Sequence, residues 1–153
     1  MDNALNPVNH ANIQAIYSSP LAYYAYTMAV LGNFDFLHGP HADRSEHIRL
    51  QLSHRITTIK LINAAITEMT GPPPDELIGA VLVLAAADPE NVIDHSLRPI
   101  SRYRSPLARA QWLDVYGAQS LVPSHAMALV RLVQLKGGWK EFKTLGLAGI
   151  CEL

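Results

Sequence analysis

The chain has 153 residues, a length that suits one domain able to bury its own core without disulfide or structural metal. Its 12 basic and 13 acidic side chains leave a formal charge of -1, without the positive excess that a sequence-independent nucleic-acid binder needs to neutralise phosphate. The single cysteine, Cys151, excludes an internal disulfide and a cysteine-rich zinc site and fits a reducing, intracellular compartment.

Residues 1–9 read as an irregular polar lead, without the basic start and apolar core of a secretory signal. A helix is predicted from about His10 to Leu31, interrupted at Ser18-Ser19-Pro20, where proline at a first turn restarts it. Gly32 to Pro40 is predicted as a loop, on its glycines and proline. Asp43 or Ser45 then caps a long helix ending near Met69, in which Ile48, Leu52, Ile56, Ile59, Ile62 and Ile66 form one apolar stripe. Arg49, Gln51, Ser53 and Lys60 lie off that stripe, the strongest amphipathic signal in the chain.

Gly71-Pro72-Pro73-Pro74 stops the long helix, and Pro74-Asp75-Glu76 starts the next, with both carboxylates near its positive end. Leu77 to Ala87 is apolar nearly all round. Its proline-acid start and alanine-rich end favour helix over buried strand, and it is about half the ~20 residues a membrane span needs. Asp88 to Ser105 reads as irregular. Ser105-Pro106 opens a helix carrying Leu107, Ala110, Leu113 and Ala118. Pro123-Ser124 precedes a further helix, with apolar Met127, Leu129, Val130, Leu132 and Val133, that ends at Gly137-Gly138. Trp139 to about Gly149 is predicted as a last short helix. The fold expected is all-α, an irregular array of about six antiparallel helices over residues 10–153, one of them long and amphipathic.

Candidate chemistry is sparse. His38, His41, His47 and His54 fall close together, but His47 and His54 are two helical turns apart, roughly 10 Å, too far for one zinc ion with bonds near 2 Å. His38 and His41 with Asp43 or His47 leave a metal reading open beside that of a solvated loop. Arg98, Arg102, Arg104 and Arg109 surround Tyr103 and suit phosphate or an acidic partner segment, while Asp88, Glu90, Asp94 and Asp114 are near enough in sequence to neutralise them. No nucleophile elbow, phosphate-binding glycine loop or paired-histidine zinc helix is present, so no catalytic residue and no cofactor is assigned. Tyr23, Tyr24, Tyr26, Trp112 and Tyr116 could line a cavity for a small-molecule effector.

The segment from His125 to Trp139 is an amphipathic helix closed by a double-glycine cap and followed by a second helical entry. It resembles the regulatory, middle-homology domain of fungal-specific transcription factors, whose DNA-binding part is a zinc binuclear cluster. His125, Leu129, Val133, Gly137 and Gly138 match that family's pattern. Ile59 to Ile66, with Leu61, Asn63 and Ala64, is similar to its long helix, and Ile78 to Ala87 to its next, aliphatic one. The likeness runs from about residue 20 to 150, a central slice of a domain several hundred residues long, and the six cysteines of the DNA-binding cluster have no counterpart here. The resemblance implies a nuclear, non-enzymatic regulatory module, truncated relative to the family and without its own route to DNA. With 49% of residues hydrophobic and only 16% charged, apolar surface is expected to be kept for a protein partner or for self-association. Arg102, Arg104 and Arg109 are the candidate contacts for such a partner.

Overall fold

A computed structural model describes residues 7–38, 44–86, 122–144 and 147. Among them are five α-helices, one 3-10 turn and no strand, arranged as an irregular antiparallel array. Helix α1 spans Pro7–Ser18, α2 Pro20–His38, α3 Arg44–Glu68, α4 Asp75–Ala86 and α5 Pro123–Lys136. The 3-10 turn is Trp139–Glu141.

Local signals set most of these boundaries. Pro20 opens α2, and the Ser19 hydroxyl accepts a bond from the Ala22 amide, satisfying one of the donors that a helix start leaves orphaned. The Pro74 carbonyl accepts from the amides of Leu77 and Ile78 as α4 begins. Pro123 occupies the first turn of α5, and Gly137 closes it at φ 101°. The amides of Gly137 and Gly138 return to the carbonyls of Gln134 and Val133, the pattern in which glycine takes the left-handed turn after a helix.

Three boundaries differ from the sequence expectation. α1 starts at Pro7, so the last residues of the expected irregular lead are already helical. α2 runs through Gly32 to His38, where a loop was expected from Gly32. A Cβ at Gly32 would stand 2.7 Å from the Gln51 amide nitrogen, so the glycine lets α3 approach α2 closely. After Gly138 the chain makes a single 3-10 turn and becomes extended at Phe142, not the continuous helix expected from Trp139. The expected irregular stretch of residues 88–105 and the helix after Ser105 lie outside the described residues.

α4 is the hub. It packs on α2, α3 and α5, which explains its all-round apolar sequence: Leu77, Ile78, Gly79, Ala80, Val81, Leu84 and Ala85 are all buried. Around it the core takes Leu21, Ala25 and Met28 from α2, Ile62 from α3, and Leu132 and Val133 from α5. α2 and α3 run side by side in opposite directions, with Tyr24 ringed against His54 and Gly32 beside Gln51. The Val122 amide donates to the Ala85 carbonyl at 2.8 Å, so the start of α5 lies beside the end of α4.

Candidate functional site

Two features stand out once the helices are in place: a buried ionic lock and an outward-turned apolar stripe. The lock joins the start of α4 to the end of α5. Asp75 Oδ1 lies 2.7 Å from Lys136 Nζ, and both side chains are about nine-tenths buried. Lys136 also donates to the Pro73 carbonyl at 2.8 Å and sits 5.5 Å from the Phe142 ring centre. Asp75 Oδ2 accepts from the backbone amides of Lys143 at 2.7 Å and Thr144 at 2.6 Å. Those amides are free to point there because the chain is extended at Phe142, whose ring stacks on Trp139.

Burial pushes the Asp75 carboxyl upward, but Lys136 and the donors of Thr144 and Lys143 outweigh it and hold the group below the ordinary carboxylate range. The lock lies in the wall of a cleft of about 600 Å³, which Tyr26, Pro72, Gly79 and Leu147 also line. With its charges turned to each other and to backbone groups, the lock ties the segment after α5 to the start of α4.

The stripe lies on α3. At about 100° per residue, Ile48, Leu52, Ile56, Ile59 and Ile66 share one side of the helix, but the side pressed on α2 is centred roughly 100° away. Buried there are Gln51, Thr58 and Ile62, while Leu52, Ile56 and Ile66 are 42%, 54% and 45% exposed. Two local devices make this possible. The Thr58 hydroxyl donates to the His54 carbonyl of its own helix at 2.8 Å, so what it shows its neighbours is largely a methyl group. Gln51 fits over Gly32, at the cost of a buried amide oxygen without a hydrogen-bond partner. Further apolar side chains are exposed on α5, with Met127 at 75% and Val130 at 54%.

The other residues singled out in the sequence fall as follows. His125 is half-buried in the first turn of α5, Leu129 packs at the edge of the core and Val133 is inside it. With Gly137 and Gly138 they build a helix and its cap. Tyr23 and Tyr24 pack on each other and on His54 at the α2–α3 seam, and Tyr26 reaches the cleft. Arg102, Arg104, Arg109, Trp112 and Tyr116 lie outside the described residues, as do His41 and Asp43. No group of three or more potential metal ligands occurs among the described residues. No described helix is long and apolar enough to cross a membrane.

Sequence reasoning missed the lock. Asp75 carried a signal only as an acid at a helix start, and nothing in the order of residues joins it to Lys136. Compared with known protein families, characterised proteins and solved structures, the chain matches none.

Proposed function

We propose that this chain is a helical protein-interaction module that works by contact rather than catalysis. On this reading it is a regulatory piece of the kind found in fungal-specific transcription factors, and nuclear. The observation that carries the reading is the orientation of α3. The longest helix leaves Leu52, Ile56 and Ile66 about half exposed while it buries a glutamine and a threonine. Burying an unpaired amide oxygen typically costs about 1–3 kcal/mol, and leaving three large aliphatic side chains half-wet forgoes further burial energy. A free-standing helix hairpin gains by turning the other way, whereas a surface that must receive another helix gains by this one. The closed double-glycine helix end at Gly137-Gly138, where the resembled family has its own, also supports the regulatory reading.

The test is a photo-crosslinking amino acid placed at Ile56, and as a control at the exposed, polar Ser53, in living cells. The module reading predicts discrete adducts at Ile56 and none at Ser53, with an adduct at twice the chain mass reporting self-association. Absence of adducts at both positions contradicts it.

A further inference from the structure

The cleft beside the Asp75 lock has the proportions of a small-molecule site. Its volume of about 600 Å³ falls within the range of about 300–1,000 Å³ usual for such sites. Its floor is apolar and buried, made by Ala22 of α2, Gly79 of α4 and Leu147. Its rim is charged and exposed, made by Glu76, Glu141 and Lys143.

Gly79 is the unusual member. It stands inside α4, where glycine is less stable than alanine. Close packing within the chain does not call for it. A Cβ at that position would meet only Leu147, at 3.9 Å, an ordinary contact. Gly32, by contrast, has the Gln51 side chain where its Cβ would go. The bare position 79 instead keeps room on the cleft floor. The charges around that room are unequal. Asp75 and Lys136 answer each other in the wall. The side chains of Glu76, Glu141 and Lys143 are in no ion pair among the described residues, so the opening carries two carboxylates against one ammonium.

We propose that this cleft binds a small amine, with its apolar body on the floor and its cationic head at the carboxylates of the rim. An anion fits worse, because it meets the excess of negative charge. A bare divalent cation also fits worse, because the side chains of the floor offer it no oxygen ligand. The site is separate from the α3 face, and neither proposal rests on the other.

Titration of the full, nitrogen-15-labelled chain by two-dimensional NMR decides it. The probes are 2-phenylethylamine and 3-phenylpropionate, which share an apolar body and differ in the sign of the head. The amine shifts the amides of Gly79 and Lys143 saturably and binds on the order of tenfold more tightly than the acid. Gly79→Leu fills the floor and abolishes binding of the amine without lowering the thermal melt. Glu76→Gln with Glu141→Gln, both at exposed positions, weakens the amine on the order of tenfold and removes its advantage over the acid. The proposal is overturned by the absence of a saturable shift with the amine, or by equal binding of both probes. Binding indifferent to the paired glutamine substitutions overturns it as well, and that readout stands even where Gly79→Leu fails to fold.

Discussion

At the scale of single residues, the structure hangs on a few side chains whose partners are far away in sequence. Asp75 accepts from Lys136, Lys143 and Thr144, and so holds the segment after α5 against the start of α4. Removing one member of such a buried pair strands the other charge. Asp75→Ala is therefore expected to lower unfolding free energy by about 3 kcal/mol in urea titration. The double substitution Asp75→Leu with Lys136→Met is expected to cost less than Asp75→Ala alone, because no charge is left buried. None of this was legible in the sequence. An acid after three prolines announces a helix start, and a lysine before a glycine pair announces a helix end, but their meeting is a product of the packing of α4 on α5. By contrast the roles of Gly137 and Gly138 were legible, since a glycine pair after an apolar run has few other uses. Their φ values of 101° and 99° lie where side chains are disfavoured.

At the scale of elements, prolines 20, 74 and 123 mark helix starts well because proline acts on its own backbone. Gly32 misleads for the opposite reason. Its role is to clear space for Gln51 of another helix, so a glycine that reads as a loop signal sits inside α2. The apolar stripe of α3 is just as legible as a stripe, yet periodicity says nothing about which neighbour claims the helix. α3 meets α2 where Gln51 lies over Gly32, and buries Thr58 and Ile62 along with it. That arrangement carries a strain with a measurable sign. Gln51→Leu removes the orphaned amide oxygen at near-equal volume and is expected to raise stability by about 1 kcal/mol in the same titration. A loss of similar size would mean that the amide has a partner in solution.

At the scale of the whole molecule, α4 ties the described helices together and the Asp75 lock makes their stability depend on acid. Because the folded Asp75 carboxyl sits below its ordinary value, its contribution is complete above about pH 4–5 and is lost as pH falls through the depressed value. The urea midpoint should therefore fall as the pH drops below about 5, and Asp75→Asn should flatten part of that fall. The fold class was readable from periodicity and punctuation, whereas the face on which α3 leaves Leu52, Ile56 and Ile66 half exposed emerged only from tertiary packing. That face is the centre of the account, and thiol labelling in a Cys151→Ser background probes it most directly. Leu52→Cys, Ile56→Cys and Ile66→Cys should react in the folded protein at rates close to those of the unfolded chain, and Gln51→Cys and Thr58→Cys only on unfolding. Protection at positions 52, 56 and 66 with rapid reaction at 51 and 58 would mean that α3 is turned the other way, and the proposed interaction surface would disappear with it.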